Sequence, residues 1–246
     1  MIITALMSPV RDMPFAPKPK QGIDIALILD TSGSMDSTGF DPYNLHVTKF
    51  DVVQSIVKKF IKQRVRDNIG LVVFGSYSFI AAPLTYDKNI LSRIVSRLQV
   101  AMAGQYTALY DSLAQGVKLL KNSKAKSKIA ILMTDGYNTP QTTRIPLSVA
   151  LKMANKYHIK IYTIGIGNDY DAALLQEIAR STDAKTFGAQ NASELREVYQ
   201  QIDKLEKSKL KSQSFIYKKQ YFFYPLFIGF ISLLLYIFLI NKRGHE

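Results

Sequence analysis

The sequence predicts a doubly wound α/β domain: a mostly parallel, Rossmann-like sheet flanked by helices, followed by a C-terminal transmembrane helix. Three observations carry this prediction. Short, almost continuously apolar runs alternate with amphipathic helical stretches, which is how parallel strands covered on both faces read. Polar loops open directly at the ends of those runs, and open α/β sheets hold ligands outside the carboxyl ends of their strands. A twenty-residue stretch without a charge, 221–240, lies close to the end of the chain.

The elements follow in order. Residues 23–29 read as a strand, with an apolar run over 25–29 that ends at Asp30. Residues 48–65 read as a helix with Phe50, Val53, Val57, Phe60 and Ile61 on one face. Residues 69–74 are a second strand, stopped by Gly75. Residues 79–84 follow after only about four residues, so this strand is expected to run antiparallel to its neighbour. Helices are expected over 87–98 and 108–120, a strand over 129–133, and a helix over 145–157. Residues 159–166 read as a strand, with helices over 171–180 and 192–205 and a short strand near 185–188 between them.

Composition narrows the chemistry. With 246 residues and no Cys, the chain has no disulfide, no thiolate nucleophile and no Cys-ligated metal. His46, His158 and His245 show no metal-ligand spacing, which argues against a His-based metal site or a Ser-His-Asp triad. The formal charge is +13. It is concentrated at Lys121, Lys124, Lys126 and Lys128, and again at Lys204, Lys207, Lys209, Lys211, Lys218 and Lys219. No basic stripe is interleaved with aromatics, so nucleic acid is not expected as a partner. There is no G-x-x-x-x-G-K-[ST] loop for a nucleotide.

The apolar stretch 221–240 would span about 30 Å as a helix, the thickness of a bilayer core. Lys218-Lys219 and Lys242-Arg243 flank it. A transmembrane helix with the lipid bilayer as a partner is therefore expected. Residues 1–10 are apolar but too short to span, and 11–20 carry Pro14, Pro17 and Pro19. The expected organisation is an apolar stub and Pro-rich linker over 1–20, a domain over 21–206, a basic juxtamembrane segment over 207–220, the membrane helix over 221–240 and a tail over 241–246.

The most informative residues are Asp30-Thr31-Ser32-Gly33-Ser34-Met35, at the end of the first strand. A carboxylate and two hydroxyls at alternate positions offer three oxygens to a hard cation such as magnesium, which prefers six. The same residue types also suit a polar turn. Thr134-Asp135-Gly136 follows another strand, and Gly104-Gln105-Tyr106-Thr107 opens a helix. A Thr there is more often a helix cap than a ligand. In a doubly wound fold all three loops can converge on one point.

Together these segments resemble the von Willebrand factor type A (VWA) domain and its metal-ion-dependent adhesion site (MIDAS). The family pattern of D-x-S-x-S, then Thr, then Asp is matched by Asp30, Ser32, Ser34, Thr107 and Asp135. The stretches 22–25, 69–74, 83–85, 127–136 and 161–165 are similar to a bacterial membrane-bound branch, the BatA-like (Bacteroides aerotolerance) proteins. The resemblance implies that those five residues hold a divalent ion, Mg²⁺ or else Mn²⁺ or another divalent cation. It implies a protein partner that supplies an Asp or Glu to the metal, and a binding module rather than an enzyme. A MoxR-type AAA+ ATPase and other VWA proteins are implied as partners, in a stress-response or assembly complex. The implied location is the bacterial inner (cell) membrane, with a single C-terminal transmembrane helix; the resemblance favours the periplasmic side for the domain, as does Lys242-Arg243 in the tail, whereas the Lys cluster before the segment favours the cytoplasm. Asp36, Asn138 and Asp169 are placed near the rim, and Thr134 as support for its loop. Tyr106 stands where the family more often has Gly. The alternative is a Mg²⁺-dependent phosphatase or hydrolase using the same site, for which no base or nucleophile is evident.

Overall fold

The computed structural model describes residues 10–13, 22–212, 217–220 and 223–243. In chain order the elements are β1 (Val10–Met13), β2 (Asp24–Asp30), α1 (Lys49–Gln63), β3 (Asn68–Phe74), β4 (Ser78–Thr85), α2 (Lys88–Ser96), α3 (Leu109–Leu120), β5 (Lys128–Thr134), α4 (Leu147–Lys156), β6 (Ile159–Ile166), α5 (Ala172–Ser181), β7 (Thr186–Ala189), α6 (Ala192–Ser212), β8 (Tyr217–Gln220) and α7 (Phe223–Arg243). They fall into two compact units. One is Lys20–Glu206; the other combines Met1–Pro19 with Lys207–Glu246.

The larger unit is built on a six-stranded sheet in the order β4-β3-β2-β5-β6-β7. Only β4 runs antiparallel; the other pairings are parallel. The doubly wound α/β expectation therefore holds for this unit, antiparallel edge strand included. Pro83 sits in that edge strand, where a missing ladder donor is tolerated, and the β3–β4 register shifts between Ile69 and Val72.

Both faces of the sheet are covered. Ala26, Ile28, Val72, Phe74, Ala130 and Leu132 pack with Leu109, Leu113 and Val117 of α3, Ala150 and Ala154 of α4, and Leu175 and Ile178 of α5. On the opposite side the Phe60 ring of α1 lies 4.5 Å from the Tyr199 ring of α6. The Tyr199 hydroxyl donates to Met133 Sδ of β5 at 2.8 Å. Arg64 is 5% exposed, pairs with Asp67 and Asp203 at 3.0 Å each, and lies over the Phe60 ring. Buried Glu206 accepts hydrogen bonds from Tyr162 at 2.6 Å and Ser127 at 2.8 Å.

Helices α1, α2 and α5 start one residue later than the sequence reading because the polar residue read as first acts as the cap. Thr48 and Asp51 form a reciprocal capping box at α1. Asp87 accepts from Asn89 and Ile90, and Asp171 from Leu174. At its other end α6 continues to Ser212, past the expected stop at 205.

In the smaller unit β1 pairs antiparallel with β8, Val10 opposite Gln220 and Met13 opposite Tyr217. The sequence reading did not foresee this ladder, because four-residue strands separated by about two hundred residues leave no local periodic signal. The rest of the expected stub and Pro-rich linker, 1–9 and 14–20, lies outside the described residues, as does 244–246 of the tail.

The membrane expectation is corrected. Among the described residues no helix is long and apolar enough to cross a membrane. Helix α7 occupies the place expected for the spanning segment 221–240. The single transmembrane helix, the inner-membrane location and the bilayer as a partner are withdrawn with it.

Candidate metal centre

The two central strands β2 and β5 lie side by side, Leu29 level with Met133, so their carboxyl ends open together. The chain leaves β2 at Asp30 and turns at once. The Ser32 N–H donates to Asp30 Oδ1 at 2.8 Å, an Asx-type turn that carries the chain into a short 3-10 turn at Gly33–Asp36. The Thr31 hydroxyl and N–H both donate to the Phe74 carbonyl at the end of β3, at 2.9 and 2.8 Å.

The second loop is stitched to the first. The Gly33 N–H donates to the Gln105 carbonyl at 2.9 Å, and the Ala101 N–H to that of Thr31 at 2.6 Å. It is stitched to β3 as well, where the Ala108 N–H meets the Gly75 carbonyl at 2.7 Å. Gly75 packs so closely that a Cβ there would lie 2.7 Å from the Ala103 carbonyl oxygen. A side chain at this position would push away the loop that carries Thr107.

The third loop closes the set. Thr134 donates its hydroxyl to Asp30 Oδ2 at 2.6 Å and accepts the Gly136 N–H at 3.2 Å. Asp135 is 3% exposed. Its Oδ1 accepts from the Ser34 hydroxyl at 2.6 Å, and its Oδ2 from Lys49 Nζ at 2.9 Å. The Ser32 and Ser34 hydroxyls are 3.1 Å apart. A Cβ on Gly136 would lie 3.7 Å from Ser34 Oγ and 3.8 Å from Thr107 Oγ1, so those two oxygens flank one spot. Thr107 itself is held by mutual bonds with Thr139: its carbonyl accepts at 2.8 Å and its N–H donates to the hydroxyl at 3.3 Å.

The structure thus brings Asp30, Ser32, Ser34, Thr107 and Asp135 to one end of the sheet. Asn138, expected at the rim, instead accepts the Leu109 N–H at 3.1 Å and serves as the cap that Ala108 cannot provide for α3. Asp36 and Asp169 are exposed, and Tyr106 is 62% exposed. His46 is also exposed, in the turn before α1. Sequence reasoning missed Lys49. The available signal was a basic residue in the first turn of a helix, the end where the dipole disfavours it.

The donor set suits a hard cation: two carboxylates and three hydroxyls, with no sulfur or imidazole. The electrostatics agree. Asp30 is 1% exposed, and burial pushes its carboxyl from 3.8 up to about 6 despite hydrogen bonds from Ser32 and Thr134, with nearby Asp135 adding a little. Its polar contacts are neutral donors, so the charge on Asp30 has no cation against it in the hydrogen-bonding network. A divalent ion would supply that charge.

Residues 24–201 match the family model of the von Willebrand factor type A domain. The chain belongs to this family. VWA domains mediate protein–protein interactions. A curated relative from Borreliella burgdorferi is 26% identical over 90% of this chain and 69% of its own length. The chain spans 64% of the length of the Mycobacterium UPF0353 proteins that it also matches. BatB from Bacteroides thetaiotaomicron superposes with a TM-score of 0.64 at 17% identity, over 76% of this chain and 100% of BatB. Proximal thread matrix protein 1 from the mussel byssus, with a zinc-occupied MIDAS motif, gives a TM-score of 0.61 at 21% identity. That match covers 76% of this chain and 46% of the byssus protein. At these identities the two structures speak for the fold.

Proposed function

We propose that this VWA domain is a divalent-metal-dependent docking module for a protein partner, and that Asp30, Ser32, Ser34, Thr107 and Asp135 hold the metal, Mg²⁺ in the first instance. The observation that carries the reading is the buried Asp30 carboxylate. It is kept at the mouth of the sheet with hydroxyl and amide donors and no positive charge of its own.

Each residue has a definable task. Asp30 and Asp135 supply the negative charge, one from each central strand. Ser32, Ser34 and Thr107 supply neutral oxygens. Thr134 orients Asp30 through its hydroxyl, and Gln105 ties the second loop to the first through its carbonyl. When bound, the ion supplies an electrophilic point for one further anionic oxygen, because mostly neutral ligands leave it short of charge. An Asp or Glu side chain of the partner provides that oxygen. No bond is made or broken, so the function is recognition rather than catalysis. A MoxR-type AAA+ ATPase and sister VWA proteins, in a stress-response or assembly complex, are the partners that the BatA-like resemblance suggests.

The test is a thermal melt of the wild type and of Asp30→Ala, each in Mg²⁺ and in EDTA. Metal at about 100 times its Kd should stabilise the wild type by about 2.7 kcal/mol. Asp30→Ala should melt at the same temperature in both buffers. A wild type indifferent to Mg²⁺ and Mn²⁺ would remove the metal, and the docking mechanism with it.

A further inference from the structure

We propose that Lys49 is a built-in cation of this site: a tethered ammonium that holds Asp135 in the metal-free protein and must give it up when metal arrives. The inference rests on the metal-dependent reading above and adds a sixth residue that sets how tightly the site takes metal.

Lys49 is the first residue of α1. A positive charge there opposes the helix dipole, and the helix start is already secured by the Thr48–Asp51 capping box. Nothing about α1 asks for a lysine at this position. Nor does the side chain behave as a solvated lysine. Nζ lies 2.9 Å from Asp135 Oδ2, with the Lys49 side chain 18% exposed and that of Asp135 fully covered. The chain end reaches Asp135 past Gly167, at the end of β6, where φ is +78° and a Cβ would lie 3.5 Å from both Cε and Nζ. The ammonium is therefore enclosed by the ends of α1, β5 and β6.

Both oxygens of Asp135 are occupied. Oδ1 takes the hydroxyl proton of Ser34, itself a candidate ligand, and Oδ2 takes Lys49. An ammonium is a compact single charge with three donors and no acceptor. It satisfies Asp135 but leaves Asp30, whose bonds go to Ser32 and Thr134, without a cation. A divalent ion can serve both carboxylates; Lys49 serves one. The lysine is thus a weaker occupant that keeps Asp135 paired and lowers the apparent metal affinity by competing for it. A loaded site must first break this ion pair.

The experiment is isothermal titration of the full chain with MgCl₂, for wild type, Lys49→Met, Lys49→Arg and Asp30→Ala, alongside thermal melts of the same proteins in EDTA. Lys49→Met should bind Mg²⁺ about tenfold more tightly than wild type. In EDTA it should melt at a lower temperature, because Asp135 is left buried and unpaired. Lys49→Arg should retain the higher melting temperature. Equal or weaker Mg²⁺ binding by Lys49→Met, with wild type still binding, would overturn the competition alone. Absence of binding in both wild type and Lys49→Met would overturn the metal reading and the competition together. An unchanged melt of Lys49→Met in EDTA would show that the ion pair does not hold Asp135 in solution.

Discussion

Replacing Asp30 by Asn should make the metal-free domain more stable while abolishing metal binding. The carboxyl ionises at about 6 in the folded chain against 3.8 as its ordinary value, with burial as the main cause. The folded state therefore holds this proton more tightly than the unfolded state does. The sign follows: protonation favours folding, the contribution is complete below about pH 3.8, and it is lost as pH rises through about 6. At about 1.4 kcal/mol per pH unit, the gap amounts to about 3 kcal/mol of destabilisation carried by Asp30 at pH 7. Asparagine keeps the shape and the acceptor for the Ser32 N–H, and its amide can donate to the Thr134 hydroxyl, but it has no charge to desolvate. The assay is urea unfolding of wild type and Asp30→Asn in EDTA at pH 7 and pH 4. At pH 7 the variant should be more stable by about 3 kcal/mol, or about 6–12 °C in Tm for a domain of this size. At pH 4 the difference should shrink below about 1 kcal/mol. In excess Mg²⁺ only the wild type should gain. A variant less stable than wild type at pH 7 in EDTA, or a gap that ignores pH, would refute the argument that Asp30 is held as an uncompensated buried charge.

Three further outcomes are expected. Thr134→Val removes the hydroxyl that donates to Asp30 at 2.6 Å and should cost about 2 kcal/mol in EDTA at pH 7, read by urea melts. Gly75→Ala drives a methyl group into the Ala103–Gly104 carbonyls and should cost about 1–3 kcal/mol. Because that loop carries Thr107, Mg²⁺ affinity should fall in the same variant, measured by titration. Arg64→Ala strips two partly buried carboxylates of their partner and uncovers Phe60, for a loss of about 3 kcal/mol; Arg64→Met, which keeps the aliphatic cover, should recover part of it.

Much of the fold was legible in the chain because its signals are local. The apolar runs ending at Leu29, Phe74 and Met133 mark strands buried on both faces. The four-residue gap before Phe79 permits only a hairpin, and β4 is indeed antiparallel. Asp87 and Asp171 were read as first helical residues and proved to be caps, a difference of one position. The β1–β8 ladder was not legible, since pairing between Val10 and Gln220 depends on distant backbone rather than on a local pattern. The apolar segment near the C-terminus invited a membrane reading from hydropathy alone, which the described helix does not support.

The candidate site divides the same way. The sequence by itself determined which residue types stand at the ends of which strands: Asp30 closing β2 with Ser32 and Ser34 just beyond it, Asp135 after β5, and Thr107 in the loop between α2 and α3. Those are properties of order and spacing, and a doubly wound sheet converts them into proximity. Only the tertiary structure decided the charge balance. Burial of Asp30 follows from packing on both faces of the sheet, and a carboxylate's cost of ionisation depends on what surrounds it. Lys49 lies 86 residues from Asp135 in sequence, and no motif links them. Their ion pair exists because α1 starts beside the end of β5, and electrostatic partners are set by distance in space rather than along the chain.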